Sequence, residues 1–361
     1  MKTNIFGLSP RILESVLASK YQTKSFTAKQ IWNWLYCRKA KDFTSMSNIS
    51  KNLREKLSKD YSCDRPRVLE QYLSNDNTTK WLLELTDGQR IELVYIPWED
   101  RGTLCLSSQV GCAMGCRFCS TGNQGFVRNL EVFEIVQQVI LAKDLLDEWD
   151  NRAVGEGRKI TNIVLMGMGE PLLNYANVVE AMRIVNDRDG IAFSNRRITL
   201  SSCGIVPKIY DFSRDLKLNL AISLHATTHE LREKIMPVEK SYPLEQLMEA
   251  CGHYSSQKNH RRITFEYIMM LDFNDQMEDV QRLIRLIRKY HISAKFNLIP
   301  FNRWPGCTLD YRPSTTSRIR HFAEYLTKAG YSCPIRLPRG EDILAACGQL
   351  RGDNHQPPAG S

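Results

Sequence analysis

No run of apolar residues in this chain approaches the roughly 20 that a membrane-spanning helix needs; the longest, such as "IVLM" and "LAISL", stop far short. The amino-terminal "MKTNIFGLSPRILESVLASK" also lacks the apolar core of a secretory signal, so a cytoplasmic protein is expected. Internal repeats and low-complexity core segments are missing too, so the 361 residues read as two or three ordinary globular domains at about 100–200 residues each. Cysteine is not scarce: there are 11. In a reducing compartment that number excludes a disulfide framework. Cys37, Cys63, Cys203, Cys251, Cys307 and Cys333 read as small buried hydrophobes, leaving five to explain.

Acidic residues are the minority, 40 Asp+Glu against 49 Lys+Arg, for a net charge of +9. The excess lies forward: residues 1–97 hold 16 Lys+Arg against 10 Asp+Glu. A basic front on a near-neutral body suits a polyanionic partner, since contacts to phosphate supply most non-specific nucleic-acid affinity. A solvated basic face explains the charge equally well. Arg38, Lys39, Lys41, Lys51 and Arg54 are the candidate phosphate contacts.

The first ~60 residues read as short helices: "SPRILESVLA" with Ser9 as cap and Pro10 leading, "TAKQIWNWLY" with Thr27 as cap, and "ISKNLREKL". Next, "VLEQYL", "TKWLLEL" and "QRIELVYI" alternate around "SNDNT" and "DG", which are hairpin signals. From residue 103 strand-like runs alternate with helical periods: "TLCLSSQ", "NIVLMG", "RITLSS", "LNLAISL", "ITFEYIMM" and "KFNLIP", with the clearest helices at 131–148 and 276–290. Repeated βα units predict a parallel sheet, and six are too few for a full eight-fold barrel. The expected fold is therefore α/β, a partial (βα)6 barrel at 98–336 behind a small helical domain at 1–65 and a β-hairpin extension at 66–97. A last strand is expected at "SCPIRL", then a loop at 337–352 and a disordered tail at 353–361.

Cys112, Cys116 and Cys119 follow the first barrel strand, on the face where βα barrels carry their sites. Three thiolates at these steps can hold three irons of a cubane [4Fe-4S] cluster and leave the fourth iron open to a small molecule. A zinc site with a distant histidine is the competing reading. Beyond the second strand, Gly167, Gly169 and Glu170 form a turn whose carboxylate repels phosphate but suits an ammonium. Ser201, Ser223 and Asn302 stand at later strand ends, and His225 reads equally as a ligand contact or a buried structural histidine. Cys105 and Cys347 taken alone read as buried thiols.

The stretches "TLCLSSQVGCAMGCRFCSTGNQGFVRNL", "LMGMGEPLLN", "AISLHATTHELREKIMPV" and "RGEDILAACGQL" resemble the RlmN/Cfr-type radical-SAM RNA methyltransferases, over residues 5–352. Pro171 after Glu170 is similar to the adenine-C2 branch, where the C8-methylating branch tends to have Ala; Leu344 departs from the family's usual acidic residue. The resemblance implies a radical-SAM barrel using a [4Fe-4S] cluster on Cys112, Cys116 and Cys119, and two molecules of S-adenosylmethionine (SAM) per turnover. It implies SAM contacts at Gly169, Glu170, Ser201, Ser223, Leu224, His225 and Asn302. Cys347 would be the methyl carrier, Cys105 the thiol that resolves it through a transient disulfide, and Glu92 the proton acceptor. The implied partners are 23S rRNA, tRNA and a reduced flavodoxin- or ferredoxin-type electron donor, with the enzyme a monomer. Because attack is by thiolate, Cys105 is expected to titrate at or below the ordinary thiol range.

Overall fold

The computed structural model describes residues 2–149, 157–257, 262–307 and 310–352. The expected tail at 353–361 lies outside them. Three helices open the chain, α1 (Pro10–Tyr21), α2 (Ser25–Tyr36) and α3 (Lys51–Asp60). Ser50 caps α3 by accepting from the Leu53 amide. Thr27 is not a cap: α2 starts at Ser25, and the Thr27 amide already donates to the Lys24 carbonyl.

Nine strands then form one sheet. β1 (Arg67–Leu73), β2 (Thr79–Glu84) and β3 (Arg90–Pro97) pair antiparallel, and β3 continues antiparallel onto β4 (Gly102–Cys105). From β4 the sheet runs parallel through β5 (Asn162–Leu165), β6 (Ile198–Ser202), β7 (Asn219–Ser223), β8 (Ile263–Met269) and β9 (Ala294–Pro300). These six are the predicted barrel strands. "SCPIRL" forms only isolated bridges along β9; Pro334 in its middle has no N–H to give a ladder.

The barrel strands alternate in a way that places the site. Leu104, Ile163, Leu165, Ile198, Leu200, Leu220, Ile222, Phe265, Phe296 and Leu298 are fully buried in the core. The other face is polar or half-buried: Thr103, Cys105, Thr199, Ser201, Asn219, Ser223, Glu266, Lys295 and Asn297. Register puts these side by side, with Cys105 beside Val164, Val164 beside Thr199, and Ser223, Glu266 and Asn297 in one row. Successive side chains point to opposite faces, so the polar set lines the concave interior. Among the described residues, no helix is long and apolar enough to cross a membrane.

Candidate active site

The cluster loop is shaped by local turns. Gly111 takes φ +70 against the Gly125 carbonyl, which accepts from the Cys112 amide at 2.8 Å. Gly115 takes φ +61, and the Cys119 amide donates to the Cys116 carbonyl at 3.0 Å, gathering the thiols at the start of the short helix α4 (Ser120–Gln124). Burial pushes the Cys112 thiol up to about 12 and the Cys116 and Cys119 thiols up as well; Cys116 is raised further by both of its companions. A desolvated niche holding three raised thiols keeps them as thiolates only with a metal cation bound. Among the described residues no three of His, Cys, Asp or Glu stand close enough to share one ion.

The turn after β5, where a SAM cradle is expected, is tightly built. Gly169 takes φ +98, and a Cβ there would stand 2.5 Å from the Gln109 Cβ. Glu170 is buried and its carboxyl is pushed up by burial; its oxygens accept from the Leu172 amide at 3.0 Å and the Cys203 amide at 2.8 Å. Each oxygen keeps further acceptor capacity. Ser201 and Ser223 face the interior, while Leu224 donates its amide to the Glu266 carbonyl at 3.1 Å. Burial, with Arg232 nearby, lowers the His225 pKa to about 3, so the ring is neutral; Nδ1 accepts from the Ile268 amide at 3.1 Å and the proton sits on Nε2. Its ring meets Phe118 of the cluster loop edge-on at 4.7 Å. His225 is thus held through Nδ1, and its ring packs against the cluster loop. Asn302 donates to the Cys347 carbonyl at 3.2 Å.

The carrier loop has two halves. Residues 339–345 bind the β1–β2 turn: Arg339 pairs with Asp76 at 3.1 Å, the Gly340 amide donates to Asp76 at 3.0 Å, and Asp342 accepts from the Asn75 amide at 3.1 Å. Residues 346–352 dock on the cluster loop: Gly348 O accepts from the Ser120 amide and Leu350 O from the Thr121 hydroxyl, both at 2.6 Å. Cys347 lies at the junction. It is exposed, yet surrounded closely enough that burial pushes its thiol up to about 11, with Glu266 and Cys119 adding. Both observations hold if it faces a recess in the barrel mouth.

Cys105 and Cys347 are brought within electrostatic reach of each other, both as free thiols. The expected low pKa of Cys105 is overturned: burial, then Cys347, pushes it up to about 12. Among the described residues no cation offsets the desolvation of this interior strand position. Glu92 is also interior, with Oε1 paired to Lys80 Nζ at 2.8 Å and Oε2 accepting from the Arg351 amide at 2.7 Å. The basic candidates lie on the helical front: Arg38, Lys41 and Lys51 are exposed, while Lys39 pairs with Asp147 at 3.0 Å and Arg54 donates to the Thr44 carbonyl.

Sequence reasoning missed Lys80, Glu266 and Arg232. Arg232 is fully buried, paired with Glu239 and donating to the Leu224 and Cys203 carbonyls under the strand ends. "HELREKI" reads as a solvated face and gives no sign of it. Lys80 had a signal: hairpin register sets Lys80 opposite Val94 and Leu82 opposite Glu92, so Lys80 and Glu92 share a face.

Residues 106–287 match the model of the Radical SAM superfamily, and residues 3–62 that of the ribosomal RNA large subunit methyltransferase N-terminal domain. The chain is 51% identical to the dual-specificity RNA methyltransferase RlmN of Rhizorhabdus wittichii, covering 94% of this chain and 83% of that protein. With its counterpart from Sinorhizobium medicae it shares 48% identity over 98% and 89%. A crystal structure of a radical SAM methyltransferase from Sphaerobacter thermophilus superposes with a TM-score of 0.89, at 37% identity over 97% of this chain and all of that one. The chain belongs to the RlmN family of radical-SAM RNA methyltransferases.

Proposed function

We propose that this enzyme methylates C2 of one adenosine in 23S rRNA, at the peptidyl transferase centre, and of the adenosine 3′ of the anticodon in some tRNAs. Cys347 is the methyl carrier, Cys105 the resolving thiol and Glu92 the proton acceptor. As a radical-SAM enzyme it uses SAM and a [4Fe-4S] cluster; Cys112, Cys116 and Cys119 are the three ligands their loop geometry favours. The observation that carries the reading is that two free thiols far apart in sequence, Cys105 on β4 and Cys347 on the carrier loop, come within electrostatic reach of each other.

Adenine C2 bears no acidic proton, so polar methyl transfer fails there and a carbon radical is required. When bound, the cluster and SAM supply that radical chemistry by one-electron cleavage of the sulfonium. The chain supplies the rest. The Cys347 sulfur would take a methyl group from one SAM, releasing its own proton and S-adenosylhomocysteine; that S-methyl group would then give up one hydrogen atom, carried off as 5′-deoxyadenosine from a second SAM, and its carbon would bond to C2. The adduct would return one electron to the cluster, replacing the one spent on cleaving the sulfonium, and its C2 proton passes to Glu92. The Cys105 sulfur then attacks the Cys347 sulfur: the S–S bond forms, the carbon–sulfur bond breaks, and the released carbon takes a proton to become the methyl group. With its pKa raised to about 12, Cys105 attacks through the small fraction of it that is thiolate. Such a disulfide is transient and compatible with a reducing cytosol.

The front module, residues 1–65, contributes phosphate contacts, and the target base is splayed from an RNA loop into the barrel mouth. A flavodoxin- or ferredoxin-type protein delivers electrons to a monomeric enzyme. Mass spectrometry of nucleosides from rRNA and tRNA, with and without the gene, tests the assignment. Loss of 2-methyladenosine from both RNAs is expected; loss of 8-methyladenosine instead overturns it.

A further inference from the structure

Lys80 and Glu92 form an ion pair inside the protein, with side chains only 4% and 5% exposed. Burying two charges is costly unless their remaining hydrogen-bonding capacity is filled. Here the carrier loop fills it. Lys80 Nζ, 2.8 Å from Glu92 Oε1, also donates to the Leu344 carbonyl at 3.2 Å and stands 5.2 Å from the centre of the Tyr72 ring. The second Glu92 oxygen accepts from the Arg351 amide at 2.7 Å. Residues 344 and 351 bracket Cys347, so both shoulders of the loop rest on a single ion pair rooted in β2 and β3.

We propose that Lys80 is a positioning residue for methyl transfer: by gripping Glu92 and the Leu344 carbonyl together, it ties the docked position of the Cys347 loop to the orientation of Glu92. This rests on the roles assigned above to Cys347 and Glu92. It also accounts for the departure at Leu344. The loop turns there with φ +54, and what Lys80 reads is the main-chain carbonyl, which any side chain supplies. The hairpin extension is thereby part of the active site, since it carries both members of the latch. A loop displaced by an ångström or so separates Cys347 from Cys105 and from the target carbon, and such displacements cost about 100-fold in rate.

The test uses the full-length enzyme, reconstituted with iron and sulfide without oxygen, as wild type, Lys80→Met and Lys80→Arg. Three quantities are read: methylated adenosine in RNA, reductive cleavage of SAM to 5′-deoxyadenosine, and the rate at which oxidised glutathione drives the Cys105–Cys347 disulfide, followed by peptide mass spectrometry. Lys80→Met is expected to keep its iron and its SAM cleavage. Its RNA methylation and its disulfide formation should both fall about tenfold or more, and Lys80→Arg should restore most of each. Methylation or disulfide formation at the wild-type rate in Lys80→Met overturns the proposal. So does a joint loss of iron, SAM cleavage and methylation that Lys80→Arg fails to rescue, which would mark a general folding role. A Cys347→Ala control separates the two layers. If that variant still methylates RNA, the carrier reading falls; if it is inactive while Lys80→Met is not, only the latch falls.

Discussion

The cluster loop and the carrier loop both present cysteines to the same recess, yet they are built in opposite ways. In the first, three thiols lie within eight residues, and turns at Gly111 and Gly115 with one amide from Cys119 to Cys116 gather them. In the second, Cys347 is placed by partners remote in sequence: Asn302, 45 residues away, holds its carbonyl, and Ser74, 268 residues from Asp342, holds the front half. The lesson concerns division of labour. The loop proposed to ligate metal takes its shape mainly from its own turns, whereas the loop proposed to carry the methyl group is held by several parts of the fold, as a group serving more than one reaction step requires.

That contrast is most sharply broken or upheld by paired alanine variants. Cys116→Ala is expected to lose iron, SAM cleavage and RNA methylation together. Cys347→Ala should retain the first two and reduce methylation to background. Iron and sulfide assays with 5′-deoxyadenosine quantification decide it; a Cys347→Ala protein that cannot cleave SAM would make the carrier loop part of the cluster site. Next comes Cys105→Ala, which should stop turnover by trapping RNA on Cys347, since the first thioether cannot be resolved. Denaturing gels and peptide mass spectrometry report the adduct. Intact methylation without adduct would reduce Cys105 to a core thiol.

The same contrast explains how much was legible in the sequence. Spacing gave away the cluster loop because the information is local, and the six barrel strands were readable because each is a short apolar run set between helix-period segments. The strand at "SCPIRL" failed because its pairing depends on β9 and is interrupted by Pro334. Cys105 and Cys347 alone looked like buried thiols; only likeness to a family singled them out. The Cys105 pKa was misjudged because a chemical need, thiolate attack, was taken for an environment, when the strand position is dry. Lys80 could have been found from hairpin register, but the two carbonyl and amide contacts that give it meaning come from residues 344 and 351.

The pH dependence separates the regions a further way. Burial raises Cys105 to about 12, so its thiolate is scarce at neutral pH and grows as protons are withdrawn. Resolution of the trapped thioether, followed in a single turnover, should therefore accelerate about tenfold per pH unit from pH 7 to 9 with no plateau. Iron content should stay level over that range, because cluster-bound thiolates have no proton to lose. A plateau near pH 8.5 would mean that a neighbouring base or cation lowers Cys105 during catalysis.

The smallest effects should come from the carrier loop's backbone, and they rank two positions that look alike. Gly348 and Leu344 both adopt positive φ, +85 and +54. At Gly348 a Cβ would stand in ordinary contact, 3.4 Å from the Phe118 carbonyl, so the cost of Gly348→Ala is the left-handed strain alone, set where the loop docks on the cluster loop. That strain costs about 1–2 kcal/mol, enough to lower the docked population and the rate of Cys105–Cys347 disulfide formation about five- to thirtyfold. Leu344 already bears its strain, and its contribution to the latch is a carbonyl. Leu344→Ala keeps that carbonyl and the same φ, so methylation should change by no more than about twofold. A larger loss at Leu344 than at Gly348 would show that the front half of the loop is held by this side chain, and that the family's acidic residue there has been replaced by a packing contact instead of becoming dispensable.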